Sequence, residues 1–127
     1  MNSRYLMSAT AVLLALLGLA CSFAPQELLG LINAPALPAL ALVIQALGAA
    51  WLGFAMLDWQ ARGAPFGGIY GRPVALGNFL HFVMLAAAIG KVALSAPASG
   101  LLAAAAVSAL FALAFGALVF GPAPRAG

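Results

Sequence analysis

The fold is decided by residues 101–120, which read LLAAAAVSALFALAFGALVF. This run contains no charged residue and no proline. An apolar run of about 18 or more residues is typical of a membrane-spanning helix, because about 20 residues at 1.5 Å per residue cover a hydrocarbon core of about 30 Å. Residues 101–120 therefore predict a transmembrane helix.

Three further apolar runs of similar length precede it, over residues 5–23, 37–59 and 74–94. A spanning strand needs about 10 residues in which polar and apolar side chains alternate, and none of the runs alternates. The prolines fall at or near the predicted ends of the runs, which suits helices because proline disrupts a helix interior. We predict an all-α, four-helix transmembrane bundle that forms a single domain over residues 1–127, with a short interfacial helix over about 25–32.

The composition excludes a soluble monomer. Hydrophobic residues make up 66% of the chain and charged residues 6%, whereas soluble domains are about 45–50% apolar and about 25% charged. The net charge of +3 comes from five scattered basic residues, which form no basic patch, so we expect no nucleic-acid partner. The single cysteine, Cys21, excludes an internal disulfide.

The distribution of arginine predicts the orientation. Arg4, Arg62, Arg72 and Arg125 lie on one side of a four-span protein, whereas the opposite loops carry only Glu27. Cytoplasmic loops carry the excess of basic residues, so we predict that both termini are cytoplasmic. We expect a multi-pass protein of the bacterial inner membrane.

A competing prediction treats the first span as a signal peptide. Residues 22–24, Ser-Phe-Ala, resemble a small-x-small cleavage site. Cleavage after residue 24 would leave three spans.

A polar cluster near the cytoplasmic ends of the second and third spans is the main functional lead. Polar groups at membrane depth are costly and suggest function. The cluster contains Asp58, Arg62, Tyr70, Arg72, Asn78 and His81. We expect Asp58 to pair with Arg62 or Arg72, and Asn78 to bond a neighbouring backbone group. The two arginines, with Tyr70 at the headgroup level, are also candidates to bind an anionic lipid headgroup.

His81 could bind a metal or haem, relay a proton or bond a quinone carbonyl, because a neutral imidazole suits each of these roles. A metal site made only of protein ligands needs several of them, and the chain has one histidine and one cysteine. We therefore expect no metal site.

Two further sets of residues are predicted to connect the helices. Gln45 and Lys91 could meet in a second polar layer near the outer face. Small residues four apart allow close helix packing in lipid, and the fourth span carries Ser108, Ala112 and Gly116 in this spacing. The same spacing occurs at residues 11 and 15 in the first span and at residues 49 and 53 in the second.

The middle of the chain resembles a known family. Residues 51–54 (WLGF), 67–73 (GGIYGRP) and 78–82 (NFLHF) are similar to segments of small bacterial four-helix membrane proteins, broadly DoxX-like. The resemblance implies a four-helix membrane bundle. Some members take part in quinone-coupled oxidation of sulfur compounds, but this chain has no matching catalytic residue, so the resemblance does not imply that activity here.

These observations favour a non-enzymatic integral membrane protein that acts as a subunit, scaffold or lipid- or hydrophobe-binding module, as a homo-oligomer or in a larger membrane complex. One alternative is an accessory subunit that holds quinone or haem near His81 and Asn78. Another is a small dimeric transporter, although Asp58 is expected close to the surface. No nucleophile–base pair can be named, which disfavours a hydrolase or transferase.

Overall fold

The computed structural model describes residues 2–64 and 71–122, and these residues form five helices. The helices are α1 (Ser3–Phe23), α2 (Pro25–Leu31), α3 (Pro38–Ala61), α4 (Gly71–Ser95) and α5 (Ser99–Phe120). All except α2 are long and apolar enough to cross a membrane. The predicted all-α fold with four long apolar helices is confirmed.

The helix ends follow local sequence. The Asn2 side chain caps α1 by accepting from the Arg4 backbone N–H at 3.0 Å, and α2 and α3 both begin with proline. The sequence placed Pro73 before the third span, but α4 begins at Gly71, so Pro73 lies in its first turn. Proline fits there because the first N–H groups of a helix have no intrahelical partner. Between α2 and α3 the chain turns at Asn33, whose φ of 57° is a left-handed conformation that asparagine tolerates.

The four long helices form two antiparallel pairs, α1 with α3 and α4 with α5. The first pair is closest where Gly18 faces Gly48, because a Cβ added at Gly48 would lie 2.7 Å from the Gly18 carbonyl oxygen. In the second pair, a Cβ at Gly116 would lie 3.1 Å from the Phe79 ring. Small residues thus let the helices of each pair approach closely.

The two helix pairs pack against each other less closely than the helices within each pair. The α3 and α4 backbones approach each other at few positions, and so do those of α1 and α5. We call the facing sides of α3 and α4 the seam, and it is lined by Trp51, Asp58, Asn78 and His81. Side chains therefore make most of the connection between α3 and α4, whereas α5 approaches the backbone of α2 closely at Gly100, whose added Cβ would lie 2.8 Å from the Leu31 carbonyl oxygen.

The outward faces of the bundle are strongly apolar. Large exposed side chains include Leu94, Leu110, Leu113 and Phe120. In the most apolar part of α5, 17% of the residues are buried, compared with 39% in α1. Apolar faces of this kind are favourable in the hydrocarbon core of a bilayer. With four helices long enough to cross it, the chain is a multi-pass membrane protein.

Candidate functional site in the seam

The seam takes its residues from one face of each helix. On α3, Trp51, Ala55 and Asp58 are spaced by four and three residues and are all buried. On α4, Asn78 and Phe82 are four apart and are also buried. Residues three or four apart share a helix face, so α3 turns Trp51 and Asp58 toward α4, and α4 turns Asn78 and His81 toward α3.

Asp58 and Asn78 form the polar centre of the seam. Both side chains are 0% exposed. The Asn78 amide nitrogen donates to Asp58 Oδ1 on the other helix and to the Val74 carbonyl oxygen, at 3.0 Å, on its own helix. Because an amide nitrogen carries two hydrogens, both of its donors are in use.

Two oxygen atoms of this pair have no hydrogen-bond partner among the described residues. They are Asp58 Oδ2 and Asn78 Oδ1, and both are buried. An unpartnered buried polar atom is costly and is rare in folded proteins. The free bonding capacity at the centre of the seam is therefore that of two acceptors.

A second polar contact crosses the seam between Trp51 and His81. The Trp51 indole Nε1–H donates to His81 Nε2 at 3.0 Å. Since that nitrogen accepts, the ring is neutral and carries its hydrogen on Nδ1. The imidazole stacks on Phe54 with ring centroids 5.4 Å apart and meets Phe82 edge-on at 5.0 Å. Trp51 thus positions the histidine.

The expected pairing of Asp58 with Arg62 is wrong in this structure. The Arg62 guanidinium lies over the Trp59 ring at 3.7 Å from its centroid and donates to the Trp59 carbonyl oxygen. The physical reason is that Asp58 points into the seam, whereas Trp59 is on the exposed side of α3. Because Arg62 packs on the Trp59 ring, its guanidinium lies on the exposed side too. Arg72 is exposed, and Tyr70 lies outside the described residues.

The predicted outer polar layer takes a different form. Gln45 donates to the Ser22 carbonyl oxygen of α1 at 3.3 Å, so its partner belongs to its own helix pair. Lys91 is exposed on α4, one turn before the helix ends. Gln45 therefore connects α3 to α1 and does not form the expected layer with Lys91.

The small residues that allow close packing are partly those expected. On α5, Ser108 and Ala112 are buried, and Gly116 lies beside Phe79. On α3, residues 49 and 53 are exposed, and Gly48 makes the close approach instead. Neither Gly18 nor Gly48 was singled out, because the Gly48-Ala49-Ala50 run offers small residues on every face.

The polar groups of the seam differ in what they offer a haem or a quinone. His81 Nε2 already accepts from Trp51, so ligation of haem iron through that atom would require breaking this bond. Both Asn78 donors are occupied, whereas the hydrogen on His81 Nδ1 is a donor of the kind that a quinone carbonyl accepts from. The vacant bonding positions of the Asp58–Asn78 pair instead match a proton or another hydrogen-bond donor.

Comparison with known proteins finds no match: no family model, no curated protein and no solved structure is similar to this chain.

Proposed function

We propose that the protein is a non-enzymatic integral membrane protein that works as a lipid- or hydrophobe-binding module, assembling with copies of itself or as a subunit of a larger membrane complex. The observation that carries this proposal is the uneven burial of the helices. The apolar stretches of α4 and α5 contain a smaller share of buried residues than that of α1, and large apolar side chains such as Leu110 and Leu113 of α5 are exposed. These faces offer a large area for lipid tails or for another membrane helix.

The polar contacts support a binding or scaffold role over catalysis. Trp51 donates to His81, Asn78 donates to Asp58, and Thr10 donates to the Leu6 carbonyl oxygen at 2.8 Å. Each of these bonds joins helices or satisfies a buried group. None of them pairs a nucleophile with a base, which is the arrangement that covalent catalysis needs.

The proposal includes a location and an orientation. We place the protein in the bacterial inner membrane, broadly within the DoxX-like group, with both termini in the cytoplasm. The order of the antiparallel helices brings Arg4, Arg62 and Arg72 to the same end of the bundle. That end would face the cytoplasm and its anionic lipid headgroups under the positive-inside rule.

Native mass spectrometry of protein purified in a mild detergent tests the proposal. We expect masses above that of the bare chain, corresponding to retained lipids, further copies or partner subunits. A matched pair of variants refines the test: Leu113→Arg changes the exposed face of α5, whereas Glu27→Arg changes the exposed part of α2. Loss of the higher masses in Leu113→Arg alone would identify the face. A bare monomer in wild-type samples would contradict the proposal.

A small dimeric carrier is the second candidate, and one observation favours it. The sequence suggested that Asp58 lies too close to the surface for a carrier, yet its side chain is 0% exposed and lies between the two helix pairs. A buried ionisable group between mobile halves is a common feature of proton-coupled transport.

Uptake of ethidium, used as an apolar cationic probe, into proteoliposomes that are acidic inside tests the carrier. A carrier predicts gradient-dependent uptake that is lost in Asp58→Asn and retained in Glu27→Gln. Equal uptake by wild type and Asp58→Asn would eliminate this role for Asp58.

A further inference from the structure

The Asp58–Asn78 pair makes fewer hydrogen bonds than its buried polar atoms require. One hydrogen bond already joins the two side chains, from Asn78 Nδ2 to Asp58 Oδ1. The remaining oxygen of each side chain is buried without a partner among the described residues. Two acceptors cannot bond each other directly, so a hydrogen bond between these oxygens requires that one of them carries a hydrogen. A carboxyl group can carry that hydrogen and an amide oxygen cannot.

We propose that Asp58 is a proton-binding site and that it holds its proton in the folded protein at neutral pH. As a carboxylic acid, Asp58 donates from Oδ2 to Asn78 Oδ1 and accepts at Oδ1 from Asn78 Nδ2. The two side chains then form a cyclic pair with two parallel hydrogen bonds, which we call the acid–amide clasp. The clasp stands on the geometry of the seam and does not depend on the proposed function.

Among residues 2–64 and 71–122, no charged group serves the acid as a counter-ion. The charged and titratable residues of these ranges at the same end of the bundle are Arg4 and Tyr5 of α1, Arg62 of α3, and Arg72 and His81 of α4. Of these, Arg4, Tyr5 and Arg72 are exposed. The remaining long helix, α5 (Ser99–Phe120), contains no charged or titratable side chain.

The two nearest groups are also occupied elsewhere. Arg62 lies over the Trp59 ring, and His81 is neutral because Nε2 accepts from Trp51. A buried carboxylate without a paired cation is strongly disfavoured. A neutral acid in the clasp avoids that penalty and satisfies both oxygens.

Loss of the proton would weaken the connection between the helix pairs. It removes one of the two bonds of the clasp and leaves a negative charge in the seam. Since the α3 and α4 backbones approach each other at few positions, little close packing resists separation there. The clasp therefore connects the α1–α3 pair to the α4–α5 pair in a way that depends on protonation of Asp58.

Infrared spectroscopy can detect the proton directly, because Asp58 and Glu27 are the only acidic side chains. Glu27 is exposed on α2, so Glu27→Gln is the matched control for Asp58→Asn. In a maltoside detergent, which has no carbonyl group, we expect a protonated-carboxyl band in wild type and in Glu27→Gln, and no such band in Asp58→Asn. Absence of the band from wild type at pH 7 would overturn the proposal, and so would its persistence in Asp58→Asn.

The pH dependence of stability gives a second test with a defined sign. An unfolded chain loses the aspartic proton above about pH 4, whereas the folded protein keeps it, so the folded state binds more protons. The unfolding constant should then rise with pH, by up to about tenfold per pH unit. Wild type and Glu27→Gln should show this rise.

Asp58→Asn is the matched variant for that test. A second amide can form both bonds of the clasp, since it donates to Asn78 Oδ1 and accepts from Asn78 Nδ2. The variant should fold and should lack the pH-dependent loss of stability. A wild-type unfolding constant that is flat or falls with pH would refute the clasp, as would an Asp58→Asn variant that retains the wild-type slope or fails to fold.

Discussion

Replacing Gly48 by alanine tests the close crossing between α1 and α3. A Cβ at this position would lie 2.7 Å from the Gly18 carbonyl oxygen and 2.8 Å from both Cys21 Cβ and Ser22 Oγ. Non-bonded carbon contacts are optimal at about 3.5–4.0 Å. The new methyl group therefore requires the two helices to separate by about 1 Å.

The expected magnitude combines two opposing effects. Overpacking of a well-packed site costs about 1–3 kcal/mol, whereas replacing glycine by alanine within a helix gains about 1 kcal/mol. We expect the difference, a fall of about 0–2 kcal/mol in the free energy of unfolding, for Gly48→Ala. Gly53→Ala on the same helix is the matched control, because its Cβ would meet nothing within 4 Å. It should be neutral or more stable by up to about 1 kcal/mol.

Reversible unfolding in mixed micelles, by SDS titration and with helix content followed by circular dichroism, measures both variants. The double variant Gly18→Ala/Gly48→Ala adds a further check. It should cost less than the sum of the single changes, because one separation of the helices accommodates both methyl groups. Equal stability of Gly48→Ala and Gly53→Ala would refute the close crossing as a determinant of packing.

Three other predictions follow from the fold. Trp51→Phe leaves His81 Nε2 without its donor and should cost about 1–3 kcal/mol of unfolding free energy; His81→Phe combined with it should recover part of that loss, and strictly additive losses would contradict the bond. Gly116→Val should destabilise the α4–α5 pair, because its Cβ would lie 3.1 Å from the Phe79 ring; unchanged thermal melting would contradict this packing. Reporter domains fused to the two ends of the chain should both report the cytoplasm, and reporters in opposite compartments would contradict the predicted orientation.

The sequence predicted the helices well because hydropathy alone defines them. A charge-free run such as residues 101–120 has one stable state in lipid, a helix with its backbone bonds satisfied internally. α5 is accordingly found at Ser99–Phe120. The largest difference is at α4, which begins at Gly71 because its first turn accommodates Pro73.

The facing sides of the helices could not be predicted in the same way. Lipid is as apolar as leucine, so hydrophobicity does not say which side of a span turns inward. In the run Gly48-Ala49-Ala50 every face is small, and the choice of Gly48 depends on where Gly18 lies on α1. That information exists only once the two helices are packed.

Three of the four residues that line the seam were predicted, and so was the bond from Asn78 to a backbone group, but Trp51 and the bond between Asn78 and Asp58 were not. Asp58, Asn78 and His81 were singled out as polar residues in apolar spans. The nearest cation in sequence suggested an ion pair between Asp58 and Arg62, whereas the structure joins Asp58 to Asn78, 20 residues away. Arg62 is the nearest cation in sequence, but α3 is rotated so that Asp58 faces α4 while Arg62 packs on the exposed Trp59 ring.

Close pairing of α1 with α3 and of α4 with α5 has a consequence for biogenesis. Each pair consists of long helices that are consecutive along the chain, so each can form as a hairpin while the ribosome is still delivering the remainder. Docking of the two preformed hairpins then adds side-chain contacts such as Trp51–His81 and the approach of α5 to α2 at Gly100. Assembly of the bundle is thereby divided into the formation of two hairpins and their later association. Because the Asp58–Asn78 contact joins the hairpins, the association is the step whose equilibrium would change with pH.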